Sequence, residues 1–134
     1  MNCIFCKIID GEIDSKKIYE DEYVIAILDA NPVAPGHSMV IPKHHTRDIM
    51  GMPEDHMKPF FSAVQEVVGM LEDSFDLDGF TMGINHKVGQ AVDHLHYHII
   101  PRWEDDGGTS LHGVVQNSPD VSNEELAQKI KKSS

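Results

Sequence analysis

The sequence predicts an α+β domain with a mainly antiparallel five-stranded sheet, one long helix and short terminal helices. Three observations predict it. The first strand-like runs are joined by links of hairpin length. One long segment, Pro53 to Phe75, has helical periodicity. Two more strand-like runs follow, and the second, His94-Leu95-His96-Tyr97-His98-Ile99-Ile100, alternates strictly. At 134 residues the chain suits one domain, 1–134, with one core and no interior boundary or repeat.

In order, Ile4-Phe5-Cys6-Lys7-Ile8-Ile9 predicts one or two helical turns, ended by Asp10-Gly11. Lys17 to Glu20 and Tyr23 to Asp29 read as strands about an Asp21-Glu22 turn. Asn31-Pro32-Val33-Ala34-Pro35-Gly36 is a loop, because each proline fixes φ and bars a helix. His37 to Pro42 is a third strand. In the helical segment, Met57, Phe60, Phe61, Val64, Val68 and Leu71 form the expected core stripe. Pro53 with Glu54-Asp55 suits the helix start, but Pro59 conflicts with it; the helix either bends there or begins near Lys58. Phe80 to Asn85 is a fourth strand, His86 to Asp93 a loop, and His94 to Ile100 the fifth strand. Residues 104–134 form an extension. It is turn-like and acidic to Gly113, and Ser122-x-x-Glu125 is a capping box opening a short helix to about Lys132.

Composition narrows the function classes. Eleven basic against 22 acidic residues give a net charge of −11, which argues against non-specific nucleic-acid binding. A small anion remains admissible, since backbone N–H groups and imidazoles hold phosphate locally. No apolar run approaches a membrane span, and Met1 to Lys7 does not resemble a signal peptide. A cytoplasmic protein is expected. For Cys3-x-x-Cys6, metal or redox chemistry is then favoured over a structural disulfide.

On a strand, successive side chains point to opposite faces, so His94, His96 and His98 share one face and Leu95, Tyr97 and Ile99 the other. The histidine row admits a polar surface, a zinc site, or nucleophilic and acid–base chemistry on a phosphoryl group. Gly89-Gln90, just upstream, reads as a turn or as an anion-binding loop. Asp29 reads as a turn cap or as a diol acceptor.

The run from His94 to Ile100 resembles the signature of the histidine triad (HIT) proteins, nucleotide hydrolases and transferases. The chain is similar to the Hint-like branch and its bacterial zinc-containing relatives in four further pieces. They are Ile4 to Ile9, Leu28-Asp29-Ala30-Asn31-Pro32, Pro35-Gly36-His37 with Val40 to His45, and Asn85 with Gly89-Gln90-Ala91-Val92. The resemblance spans residues 3–103 and implies a HIT-like fold. It implies His96 as the nucleophile, its second nitrogen held by the His94 carbonyl, and His98 as a donor to nonbridging oxygens. Asn85, Gly89, Gln90, Ala91 and Val92 would surround the phosphate, with Ala91 standing where the family usually carries Ser or Thr. Asp29 would hold the ribose, His37 would lie near phosphate or sugar, and Phe5, Ile8, Ile27 and Met39 would form the base slot or simply core. One structural zinc per chain is implied on Cys3, Cys6, His45 and His94, with His44 as a competitor, and no metal is needed for the chemical step. The implied substrate is a purine nucleoside phosphoramidate, an adenylate or a dinucleoside polyphosphate. The implied assembly is an edge-to-edge homodimer. The alternative is a zinc-stabilised nucleotide-binding or scaffold module with little turnover.

Overall fold

The computed structural model describes residues 2–133. Its elements run α1 (Ile4–Ile9), β1 (Lys17–Glu20), β2 (Val24–Leu28), β3 (Ser38–Pro42), α2 (Glu54–Ser74), β4 (Gly79–Gly83), β5 (Tyr97–Arg102) and α3 (Asn123–Ser133). The five strands form one sheet in the order β1-β2-β3-β5-β4, every pair antiparallel. The predicted α+β class, with three helices, is what the structure shows.

β2 and β3 are apolar but for Ser38 because both of their faces are covered: β2 is buried from Val24 to Ile27, and β3 along its whole length. On one face Val24, Ala26, Val40, Leu95 and Ile99 pack with Phe60, Val64, Val67 and Leu71 of α2. On the other, Ile25, Ile27, Met39 and Ile41 pack with Phe5 and Ile8 of α1 and with Cys3, its cap. A six-residue helix is too short to hold itself together in water, so α1 exists through this packing and through its Cys3 cap.

Local differences from the sequence reading have identifiable causes. The strand of the triad begins at Tyr97, not His94. β3, its neighbour, ends at Pro42, whose carbonyl receives a hydrogen bond from the His94 ring at 2.8 Å. The Leu95 N–H donates to Thr46 O at 2.8 Å, so the incoming chain has partners outside the sheet. The backbone there still alternates, leaving Leu95 and Ile99 fully buried on the α2 face. β2 begins one residue late because Asp21 Oδ1 accepts from the N–H groups of Tyr23 and Val24, at 2.7 and 2.9 Å. β4 stops at Gly83, before Asn85.

The helix α2 starts at Glu54 on a Pro53 cap and runs through Pro59 rather than beginning near Lys58. Its buried stripe is Phe60, Ala63, Val64, Val67 and Leu71. Met57 and Phe61, expected in that stripe, are 39% and 43% exposed, because they lie on its shoulder. Ser122 Oγ caps α3 at the Glu125 N–H, and no residue of α3 is buried. No helix among the described residues is long and apolar enough to cross a membrane.

The turn into β3 depends on Gly36. Its φ is +83°, and a Cβ there would lie 2.8 Å from Cε2 of Phe75 at the end of α2. Gly36→Ala is therefore expected to lower unfolding free energy by about 1–3 kcal/mol. Urea denaturation followed by circular dichroism measures this, and an unchanged midpoint would contradict it.

Candidate functional site

One cavity of about 760 Å³ opens on the α1 side of the sheet. Phe5 and Ile8 of α1, Ile27 at the end of β2 and Met39 of β3 form its apolar wall. The same four side chains are 4–7% exposed and belong to the second core cluster, so wall and core coincide. Asn85, Gly89, Ala91 and Val92 line another side, and His96 and His98 stand at its head.

The loop beneath the two histidines is tightly wound. Lys87 has φ +69°, unusual for a residue with a side chain, and Gly89 has φ +77°. That turn sets Asn85 beside Gly89: a Cβ on Gly89 would lie 3.7 Å from the Asn85 amide. Gln90 does not line the cavity. Its amide N–H donates to Arg47 O at 2.7 Å, and its Oε1 accepts from the Lys87 N–H at 3.0 Å. The side chain expected at the phosphate here closes the loop instead.

His96 is 7% exposed, with its ring edge-on to Phe5 and to His98, each 5.1 Å between centroids. Its Nδ1 lies 2.8 Å from the His94 carbonyl. A carbonyl only accepts, so Nδ1 carries a proton, and in the neutral ring Nε2 keeps the lone pair. A neutral imidazole held so can act as a nucleophile or a base.

His98 lines the cavity beside it, and its Nδ1 lies 2.9 Å from Nε2 of His37. Burial, with the neighbouring His96 and His37 adding to it, holds the His98 pKa down to about 4, so the ring is neutral at neutral pH. His37, expected near phosphate or sugar, is not in the cavity lining; it stands behind His98 and is 4% exposed. Burial lowers its pKa as well. Asp29 closes this corner. Its Oδ1 caps the turn by accepting from the Asn31 N–H at 2.9 Å, while Oδ2 lies 3.4 Å from His37 Nε2. Asp29 also lines the cavity, so the turn-cap reading holds and leaves room for a ligand role.

Cys3, Cys6, His45 and His94 meet at a second point. Cys3 Sγ to His94 Nδ1 is 3.4 Å, Cys6 Sγ to His45 Nδ1 is 3.3 Å, and the two Nδ1 atoms are 3.1 Å apart. Around a tetrahedral ion with bonds of about 2.0–2.1 Å to N and 2.3 Å to S, such edges are about 3.3–3.6 Å. The four donors therefore fit a metal of that kind. The second ring nitrogen of His94 donates to Pro42 O, which aims its Nδ1 lone pair into the cluster, an outer-shell bond typical of metal-bound histidine. Burial and the neighbouring Cys3 push the Cys6 thiol up to about 11, a strain a cation at this point would relieve. His44, the competitor, is exposed and stacks edge-on with His56 at 5.6 Å.

The cavity lining also includes Ile4, Leu28 and Ala30 to Pro32, which the sequence placed in matched pieces without a site role, and Ile13 to Lys16, which it missed. Ile13 to Lys16 lie in an irregular segment with no periodicity or motif to mark them.

Three relatives are similar to this chain. A solved structure of a HIT family protein from Bacillus subtilis superimposes with a TM-score of 0.86 at 41% identity, covering 99% of this chain and 94% of that one. An uncharacterized HIT-like protein of Methanocaldococcus jannaschii is 44% identical over 131 residues, 96% of this chain and 98% of its own. An adenosine 5'-monophosphoramidase of Candida albicans is 33% identical over 116 residues, 82% of this chain and 76% of its own. The family model described as the HIT domain matches residues 10–105. With the histidine row, the cavity and the sheet in agreement, the chain belongs to the HIT family, on its Hint-like branch.

Proposed function

We propose that this chain is a nucleotide hydrolase or transferase that cleaves at the α-phosphorus of a purine nucleotide through a nucleotidyl–histidine intermediate on His96. The observation that carries the reading is the His96 ring itself. Its Nδ1–H is held by the His94 carbonyl, and its Nε2 lone pair is left at the head of the apolar cavity. Nε2 attacks phosphorus, the new N–P bond replaces the bond to the leaving group, and water then cleaves N–P and returns the free ring. Asp29 offers a carboxylate to the ribose hydroxyls, and the apolar wall takes the base. Asn85, Gly89, Ala91, Val92 and His98 surround the phosphate, and Gln90 acts by shaping that loop. No metal takes part in these steps.

The Candida albicans relative, named for acting on adenosine 5'-monophosphoramidate, supports a phosphoramidate as substrate. Acyl or lysyl adenylates and dinucleoside polyphosphates share the same reacting centre. Two observations favour a second reading, a nucleotide-binding or scaffold module with little turnover. Ala91 has no hydroxyl for the leaving group, and the Gln90 amide is engaged elsewhere. Turnover of adenosine phosphoramidate set against diadenosine tetraphosphate separates the readings, since a binding module cleaves neither.

The metal in the Cys3, Cys6, His45 and His94 cluster is zinc in this proposal, one per chain and structural. It ties the amino terminus to the triad. Neither cysteine is in a disulfide, which suits a reducing cytoplasm in this proposal. The assembly is a homodimer: β4 is an edge strand with one partner, and Met82 on it and Phe61 of α2 are 36% and 43% exposed.

His96→Ala should lose the covalent nucleotidyl adduct and several orders of magnitude in rate, each tenfold being about 1.4 kcal/mol of transition-state stabilisation. Rapid-quench trapping with labelled substrate, read by mass spectrometry, locates the label; near-wild-type turnover of the variant would defeat the mechanism. Elemental analysis of protein never exposed to chelator should find about one zinc per chain, and Cys6→Ser should lower the melting temperature more than the turnover. Zinc-free protein of full stability would remove the metal from the proposal. Light scattering at micromolar concentration should give twice the chain mass, and the mass of one chain would dismiss the dimer.

A further inference from the structure

A neutral imidazole carries one N–H, so what His98 offers to a ligand depends on which nitrogen holds it. Three contacts settle the question. The Val33 N–H points at Nδ1 of His37 from 3.2 Å. A backbone N–H only donates, so that Nδ1 accepts and the single proton of the neutral His37 ring sits on Nε2. His37 Nε2 lies 2.9 Å from His98 Nδ1 and 3.4 Å from Asp29 Oδ2. With Nε2–H as donor, His98 Nδ1 must accept, and the His98 proton falls on its own Nε2. The reverse order would set the Val33 N–H against a second N–H in a buried site, an arrangement folded proteins avoid.

We infer that His37 is a positioning residue that fixes His98 as its Nε2–H tautomer, with the Val33 backbone N–H anchoring the chain of hydrogen bonds. His98 then presents a donor and no lone pair to the cavity. That matches an anionic phosphoryl oxygen and disfavours an amine at the same point. The consequence for turnover rests on the function proposed above; the tautomer does not.

The same contacts answer a competing use of this corner. Asp29, His37 and His98 offer donor atoms within 4.8 Å of one another, as a cation site would. With the Val33 N–H on Nδ1, however, His37 has no lone pair on Nε2 to give. The loop sequence suits the device. Flanked by Pro32, which has no N–H, Val33 contributes only its backbone, and its side chain is 73% exposed.

The test is the ring ¹⁵N spectrum of histidine-labelled full-length protein at pH 7, with the His98 signals assigned by their loss in His98→Asn. The expected result is one His98 tautomer, Nδ1 in the unprotonated range and Nε2 in the protonated range. His37→Met, which fills the space without a donor, should turn this into a mixture. It should also lower kcat on the order of tenfold or more, as loss of an aligned donor does, with KM little changed. His37→Gln, which carries an N–H to nearly the same place, should restore the single tautomer and most of kcat. A His98 proton on Nδ1 in the wild type, an averaged signal there, or an unchanged tautomer in His37→Met would overturn the inference. The spectra need no substrate, so a chain without turnover would defeat the proposed function and leave this result standing. If His37→Met does not fold, the wild-type spectrum and His37→Gln still decide.

Discussion

A backbone carbonyl can only accept a hydrogen bond, and two carbonyls place the proton on two neighbouring rings. Pro42 O takes Nε2–H of His94, so the His94 lone pair turns toward Cys3, Cys6 and His45. His94 O takes Nδ1–H of His96, so the His96 lone pair turns toward the cavity. The two rings belong to the same residue type, two positions apart, and serve different sites because their backbone partners differ. This arrangement requires the chain before Tyr97 to leave the sheet. In a continued ladder the His94 carbonyl would be taken up by a neighbouring strand instead of by the His96 ring.

The cluster of Cys3, Cys6, His45 and His94 and the cavity share a wall. Cys3 and Cys6 bracket the first turn of α1, while Phe5 and Ile8 of the same helix face the cavity. The Phe5 ring stands edge-on to both His94 and His96, 5.9 and 5.1 Å between centroids. Fixing the two cysteines therefore fixes Phe5 against the His96 ring. Without such a tie, six residues of helix on a sheet would fray, and terminal segments are where disorder concentrates.

Much of this was legible in the sequence because it depends on periodicity. Alternation assigned Leu95, Tyr97 and Ile99 to one side and the histidines to the other, and it survives the loss of strand pairing at His94 and His96. The order of elements and the α3 capping box were equally local. What escaped depends on partners distant in the chain. The start of β5 is set by the end of β3 and by Thr46 O. Gln90 is drawn away by a carbonyl 43 residues earlier. His37 lies behind His98 because the loop from Asn31 to Gly36 folds back over it, and the deciding atom is a backbone N–H that no side-chain pattern marks. The α2 stripe shifted to Ala63 and Val67 because burial depends on where the helix meets the sheet, and hydrophobicity alone had favoured Met57 and Phe61.

The charge of the chain raises a last question, since a net −11 repels the anionic ligand proposed for the cavity. Screening confines that repulsion to about 8 Å at physiological ionic strength, so groups in contact decide the outcome. Of the groups lining the cavity, His98 is neutral near pH 7, its pKa held to about 4 chiefly by burial. A neutral donor binds a phosphate less tightly than an imidazolium would. Yet the charge on an imidazolium would attract the bound phosphate at every stage, and binding that is uniform along the reaction does not speed the chemical step. A fixed N–H dipole, as proposed for His98, would act where the oxygens gain charge and would need no reorganisation to do so. It would also avoid placing a cation 5.1 Å, ring to ring, from His96, where it would favour an electron pair staying on Nε2 over the attack proposed for it.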